Sequence, residues 1–264
     1  MNPNDYLTQQ DIRLISDISD TDFNEVLTLA NSVEGVYSLE KALRDVSANR
    51  KGIHIYRVLL ADRIIEARRH KYGYHEHPYY KEYKEKGAVV IHKYKYRGPF
   101  FLPRKINREG LYPEIARMIT GYHPSYVPPP PSKTRLKIAA NDIQFDAHVD
   151  TFHSVAKTWV YLHAVEEDAL NYVFGSHEST ESKLRWLYRC SLIENPSALS
   201  FRVKQTGDTL ATLGYDSLTE LRGDKGTLII ADTCGLHCRG QAPGKTRVTL
   251  RGNLDRFNPF SMEV

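Results

Sequence analysis

The sequence predicts a mainly β fold of the sandwich or jelly-roll type with flanking helices. Three observations carry this. From Lys133 onward the apolar residues fall in short runs of period two, turn-forming residues punctuate those runs, and helix-like spacing is concentrated upstream. At 264 residues the chain suffices for one large domain. Residues 1–264 are therefore expected to form a single domain, with a helical part and a Tyr/Lys-rich segment over 1–132 and a β core over 133–264.

Residues 1–67 read as mostly helical. In Asp20 to Ser32 an acidic start precedes Phe23, Val26, Leu27 and Ala30, which share one helical face. Ser38 suits a second N-cap ahead of Leu39, Leu43 and Val46, and Ile53 to Arg69 is a third helix. Ala88 to Ile91 reads as a strand. Leu111 to Thr120 reads as a helix, with Pro113 in its first turn and Gly121 ending it. The prolines 128–131 form a stiff connector, read as a surface loop leading into the β core. Strands follow near Arg135–Ala139, Ile143–His148, Lys157–Val165, Asn171–Phe174, Gly226–Ala231, Leu236–Cys238 and Arg247–Leu254. One or two more fall between Leu199 and Leu221. Ser179 to Cys190, with Leu184 and Leu187 on one side, reads as a helix or a lid-like insertion.

Composition narrows the function classes. A hydrophobic content of 41% with 26% charged residues is that of a folded globular chain. Three cysteines make no disulfide framework and point to a reducing compartment. The N-terminal residues lack an apolar signal core and no run reaches membrane-spanning length, so a cytoplasmic location is the expectation. The net charge of +4 is uneven: residues 68–97 hold nine Lys/Arg against three Glu, with seven tyrosines and four histidines. A solvated, tyrosine-rich surface is the first reading of this window. An anionic small-molecule ligand is the second, and nucleic acid, an unlikely partner, the third. His70, His75 and His77 lack a fourth ligand at metal-site spacing and are not read as a metal cluster.

The chemistry concentrates in His148-Val149-Asp150 and the distant His237. Alternate residues of a strand share a face, so His148 and Asp150 can address one point. His148 and His237 are 89 positions apart, the stretch between them is mostly β-patterned, and a folded barrel closes such a gap. Two imidazoles and one carboxylate with open positions form the facial triad of non-haem Fe(II) oxygenases. Ten residues beyond His237 lies Arg247, on a strand where Thr249 and Arg251 share its face. Cys234 and Cys238 read as small buried residues, since alternation turns Cys238 away from His237. His153 and His163 read as core or surface residues and not as ligands.

These pieces resemble the phytanoyl-CoA dioxygenase family of Fe(II)/2-oxoglutarate oxygenases over about Lys137 to Leu254. The resemblance rests on four of them: His148-Val149-Asp150; Trp159-Val160-Tyr161-Leu162 with the later Asn171 to His177; Asp232-Thr233-Cys234-Gly235-Leu236-His237; and Arg247-Val248-Thr249-Leu250. Phe174 stands where the family's Pro-Gly-Ser-His turn has proline, and Arg239 stands where members often carry a small hydroxyl residue.

The resemblance implies a double-stranded β-helix (jelly-roll, cupin-like) core in which His148, Asp150 and His237 ligate Fe(II). It implies 2-oxoglutarate and O2 as cosubstrates, with Arg247 on the distal carboxylate and Thr249 adding a hydroxyl; Arg251 is the rival anchor. Asn141 and Gln144 are candidates for the proximal carboxylate, beside their reading as ordinary strand polars. The acidic ligand Asp150 implies oxygen transfer and not halogenation. The implied reaction is hydroxylation of a small polar, and on the second reading of the basic window anionic, metabolite in natural-product tailoring, or hydroxylation that cleaves a C–N bond. A non-catalytic jelly-roll binding module and an oxygenase of acyl-CoA or nucleic acid are the alternatives. No membrane partner is expected, and the oligomeric state is open.

Overall fold

The computed structural model describes residues 73–92, 132–137, 143–151, 154–193 and 206–253, with 65–66, 69–70, 115, 118 and 201–202. The helices expected over residues 1–64, the proline run and Asn141 lie outside the described residues.

Among the described residues, ten strands form two five-stranded antiparallel sheets. The first sheet contains β1 (Ala88–Ile91), β2 (Ser132–Lys137), β4 (Ala156–Tyr161), β8 (Leu228–Asp232) and β10 (Thr246–Asn253), in the order β1-β8-β4-β10-β2. The second contains β3 (His148–Val149), β5 (Val165–Tyr172), β6 (Phe201–Arg202), β7 (Thr219–Gly223) and β9 (His237–Arg239), in the order β6-β3-β9-β5-β7. The pairs β2/β10, β3/β9, β4/β8 and β5/β7 nest inside one another and fall alternately in the two sheets. A long hairpin wound in this way is a double-stranded β-helix, as expected.

Period two decides which residues face the interior. On β4, Trp159 and Tyr161 join Val165, Leu170, Tyr172 and Leu221 of the second sheet in a core between the sheets. Val160 points the other way and joins Leu228, Ile230 and Leu250 in a second core on the outer face of the first sheet. Full burial of each such aliphatic side chain contributes about 1.5–3 kcal/mol.

The outer core is covered by α1 (Pro78–Lys86), within the window read from sequence as a basic, aromatic surface. His77 caps this helix by accepting from the Tyr79 amide at 3.2 Å, proline occupies its first turn, and Gly87 ends it at φ 74°. Tyr80 and Tyr83 are buried under it while Lys81, Lys84 and Lys86 stay in water. Ile115 and Met118, both helical, pack in the same core. The helix α2 (Glu181–Ile193) lies where the sequence places one, and α3 (Thr206–Thr212) precedes β7. No helix of the described residues is long and apolar enough to cross a membrane.

Three strand expectations are corrected. Ile143–Phe145 is a 3-10 turn, so the strand that carries His148 begins at His148 itself. The strand expected over Lys157–Val165 ends at Tyr161, because the chain bends at Leu162 and His163 before starting β5. Asn171 and Tyr172 belong to that same β5, whose pairing shifts register between Val165 and Leu170, and Val173 and Phe174 lie beyond its end. A bulge lets Glu166 and Glu167 remain exposed inside a strand, which mimics a turn in the sequence.

Candidate metal and cosubstrate site

The two histidines face each other because their strands pair: His148 and His237 are direct cross-strand partners, with ring centroids 4.6 Å apart. Tyr172 is the next partner of His237 along the same row. Asp150 follows β3 and is tied back by its own amide, which donates to the Thr233 carbonyl at 2.9 Å. One carboxylate oxygen lies 3.7 Å from His148 Nε2 and the other 3.5 Å from His237 Nε2. The three donor groups lie within 4.8 Å of one another, the one grouping of three or more potential ligands among the described residues.

Both rings are oriented by their own backbone. His148 Nδ1 lies 2.8 Å from the Asp146 carbonyl, and His237 Nδ1 lies 2.8 Å from the Gly235 carbonyl. A carbonyl only accepts, so each Nδ1 carries a proton, and each Nε2 faces Asp150. This is how outer hydrogen bonds fix the tautomer of a metal-binding histidine. Burial alone would raise the Asp150 carboxyl. The His237 hydrogen bond and the Lys157 ammonium outweigh it and hold the group well below the usual carboxylate range. Lys157 Nζ is 2.5 Å from Asp150 Oδ2, which leaves Oδ1 as the oxygen free to ligate. Two imidazoles with Nδ1 anchored and one ionised carboxylate between them fit a divalent ion of the iron type.

The turn Asp232–Leu236 delivers both His237 and the carbonyl that holds Asp150. It is braced from four directions. The Asp232 carboxylate accepts from Tyr83 Oη at 2.6 Å and from the amides of Val155 at 3.0 Å and Cys234 at 3.1 Å. Tyr172 Oη donates to the Asp232 carbonyl at 2.9 Å. Ser176 Oγ accepts from the Leu236 amide at 2.7 Å. The buried Lys183 ammonium, from α2, donates to the carbonyls of Ser176 and Cys234. The Gly175-Ser176-His177 turn thus holds the loop that delivers His237.

A Cβ built on Gly235 would lie 2.0 Å from Tyr172 Oη, so the close approach of turn and tyrosine requires glycine there. Gly235→Ala is expected to cost about 1–3 kcal/mol by overpacking. It is also expected to weaken metal retention by displacing His237, measured by denaturant unfolding and by metal titration. Wild-type stability and metal affinity in this variant would refute the brace.

His177 packs on Tyr83 at 5.4 Å, and burial pushes its pKa down from the usual 6.5 to about 4. The unfolded chain then binds a proton that the folded chain refuses. Stability is full above pH 6.5 and falls as pH drops toward 4, by roughly 3 kcal/mol for this group. Urea unfolding across that range should show a smaller pH dependence in His177→Asn than in the wild type. Parallel curves would contradict the buried neutral imidazole.

Arg247, Thr249 and Arg251 all face the space between the sheets, since Thr249 pairs with Tyr161, and Arg251 with Trp159, of the inner core. Arg247 is 8% exposed and Thr249 is 4% exposed, whereas Arg251 is exposed, which separates the two rival arginines. Arg247 crosses the interior and donates from Nη1 to the Asp168 carbonyl on β5 at 2.8 Å. No carboxylate among the described residues forms an ion pair with it. Burial pushes its pKa down, as does neighbouring Arg251, while Tyr161 and Asp168 act in the opposite direction. Arg239 lies one step beyond His237 on the same face, opposite Leu170. Burial first, then Arg247 and Arg251, lower it to about 10.

Gln144 sits half-buried in the 3-10 turn that packs on β9, next to the triad in sequence. Cys238 faces away from His237, toward Asn171, and burial pushes its thiol up to about 11. His163, half-buried, accepts from the Val248 amide at 3.1 Å. Lys157, Lys183 and Asp232 are the contributors that the sequence reading missed. A lysine at the strand parity of Trp159 and Tyr161 was the one available signal, for Lys157 alone.

No protein-family model matches the chain, and no curated protein matches it significantly. Among solved structures it is similar to EvdMO1, with 14% identity over 66% of this chain and 48% of that one and a TM-score of 0.35. It is also similar to HygX from Streptomyces hygroscopicus, solved with iron bound, with 16% identity over 46% of this chain and 55% of that one and a TM-score of 0.27. The chain spans about half the length of each. What the chain itself presents is a grouping of two imidazoles and one carboxylate that could hold a metal ion, inside a double-stranded β-helix.

Proposed function

We propose that this chain is an Fe(II)/2-oxoglutarate-dependent dioxygenase that hydroxylates a small polar metabolite. The observation that carries the reading is the pairing of a preset His148/Asp150/His237 triad with a buried arginine, Arg247, on the facing sheet. His148, Asp150 and His237 would hold Fe(II) and would leave it room for a chelating cosubstrate and for O2. Iron, when bound, supplies the activation of O2, and the cosubstrate supplies the electrons for it. 2-Oxoglutarate, O2 and R–H become succinate, CO2 and R–OH.

The chain's own residues do the remaining work. His148 and His237 offer Nε2, with rotation blocked by their Nδ1 hydrogen bonds. Lys157 occupies one Asp150 oxygen and so favours single-oxygen ligation by the other. Arg247 presents a planar fork of donors suited to a carboxylate, in a buried place where such a pair is strong. Thr249, buried on the same face, adds a hydroxyl. Gln144 and Asn141 are the side chains proposed for the cosubstrate's proximal carboxylate. Trp159, Tyr161, Leu170 and Tyr172 wall the interior and exclude water from the reacting centre.

Iron-loaded protein supplied with 2-oxoglutarate and oxygen is expected to form succinate and CO2 in equal amounts, slowly without substrate and faster with it. Protein that retains iron yet forms no succinate, alone or across a panel of polar metabolites, would remove this function.

A further inference from the structure

The tyrosines of the basic window take no part in the reaction above, yet two of them connect with the surroundings of the metal site. Tyr172 begins the connection. It is the strand partner of His237, fully buried, and its Oη donates to the Asp232 carbonyl at 2.9 Å. Tyr83 of α1 meets the same residue, donating to the Asp232 carboxylate at 2.6 Å. His177 adjoins both tyrosines. Its ring lies 5.4 Å from that of Tyr83, and a Cβ built on Gly87 would lie 2.3 Å from His177 Nδ1 and 2.7 Å from Tyr172 Oη. Tyr80 stands three residues before Tyr83 on the buried face of α1, and its Oη donates to the half-exposed Glu66 carboxylate at 2.7 Å. Tyr74 and Tyr79, half-buried, pack on the same cluster. Aromatic side chains thus form a series from His237 to the surface.

Both buried phenols of α1 are bonded to carboxylates, whereas Tyr161 and Tyr172 donate to backbone carbonyls. A carboxylate is a base that can take the phenol proton when the ring loses an electron. The Arg69 guanidinium lies 5.0 Å from the Tyr83 ring centroid, so a positive charge left on that buried ring is strongly disfavoured. The proton therefore leaves with the electron, along the bond to Asp232. Burial pushes both phenol pKa values up, Tyr80 to about 12, so neither proton leaves before the electron does.

Resting on the oxygenase reading above, we propose that Tyr172, Tyr83 and Tyr80 carry oxidising equivalents away from the metal site when oxygen reacts there without a substrate. Tyr83 gives one electron to the metal site by way of Tyr172, and its phenol proton to Asp232, which leaves a neutral tyrosyl radical. Tyr80 then reduces that radical. Its electron passes to Tyr83, Asp232 returns the proton to Tyr83, and the proton of Tyr80 goes to Glu66. A thiol or an enediol in solution, itself oxidised, supplies the electron that restores Tyr80, and Glu66 returns the proton. The function is protective, sparing the triad and the inner wall from oxidation.

The test exposes Fe(II)-loaded protein with 2-oxoglutarate, but no substrate, to oxygen, freezes it at intervals and records electron paramagnetic resonance. A tyrosyl radical is expected, with a line shape that changes when the tyrosines are ring-deuterated. Tyr83→Phe should lose it. Tyr80→Phe and Glu66→Gln should hold the radical at Tyr83, so that it outlasts the wild-type signal. Glutamine keeps the size and the hydrogen bonding of Glu66 but takes no proton, so a merely structural tie would leave the lifetime unchanged. Both of these variants should bind iron as the wild type does, by metal titration. A wild type that forms succinate but no tyrosyl radical would overturn the proposal. A signal unchanged in Tyr83→Phe would overturn it too, as would an unchanged lifetime in both Tyr80→Phe and Glu66→Gln. Failure of the oxygenase reading looks different, because the wild type would then form no succinate. Hydrogen peroxide added to the Fe(II)-loaded protein then supplies the oxidising equivalents without 2-oxoglutarate. A radical that is lost in Tyr83→Phe upholds the route in that case, and its absence from the wild type overturns it.

Discussion

His148→Ala, Asp150→Ala and His237→Ala are each expected to abolish iron binding and turnover while leaving the fold intact. Loss of an outer partner of a metal ligand already costs about 10–100-fold in metal affinity or activity, and loss of a ligand itself removes more. The arrangement explains why the three act as a unit. His148 and His237 are opposite each other across one strand pair, and Asp150 lies between their Nε2 atoms. Removing any one leaves two donors that cannot enclose an ion. The fold is expected to survive because the strand pairing is made by backbone groups and the turn before His237 is braced by Asp232, Ser176 and Lys183. Metal titration with circular dichroism separates the two effects. Full iron occupancy in any of the three variants would be incompatible with the site.

Arg247→Gln is expected to raise the 2-oxoglutarate requirement with little change in iron affinity. Truncating one member of a buried, hydrogen-bonded charge pair costs about 2–5 kcal/mol, on the order of 30- to 3,000-fold in affinity. The same change at Arg251 should be nearly silent for the cosubstrate, since that guanidinium is exposed where Arg247 is buried. Glutamine keeps much of the volume, so the donation to the Asp168 carbonyl is lost without opening a large cavity. Titration of 2-oxoglutarate into iron-loaded wild type, Arg247→Gln and Arg251→Gln distinguishes the anchor. A larger loss in Arg251→Gln than in Arg247→Gln would reverse the assignment.

Legibility from sequence followed the range of the interactions. The triad was readable because two of its members obey strand parity and the third sits at a recognisable distance from an arginine. The β10 face was readable for the same reason, since alternation alone places Arg247, Thr249 and Arg251 together. The choice between the arginines was not, because depth in a barrel depends on the facing sheet. The β5 bulge hid a strand behind two exposed glutamates, and Ile143–Phe145 has strand-like residues in a 3-10 turn. The helix α1 has just two buried anchors, Tyr80 and Tyr83, in a run of charged residues, so its periodicity is faint. Asp232 was beyond reach as a brace, since its partner Tyr83 lies 149 residues away in the chain. Lys183 likewise reaches Cys234 across 51 residues. Burial of a charge for structural reasons leaves no local pattern.

The central claim is that one site binds iron through His148, Asp150 and His237 and 2-oxoglutarate through Arg247. Its most direct test is the optical spectrum of the anaerobic protein with Fe(II) and 2-oxoglutarate added together. A chelated cosubstrate should give a visible metal-to-ligand charge-transfer band. The band should be absent without either component, lost in His148→Ala and Asp150→Ala, and recovered only at higher 2-oxoglutarate in Arg247→Gln. A wild-type protein that shows no such band, or a band that persists in His148→Ala and Asp150→Ala, would contradict the account.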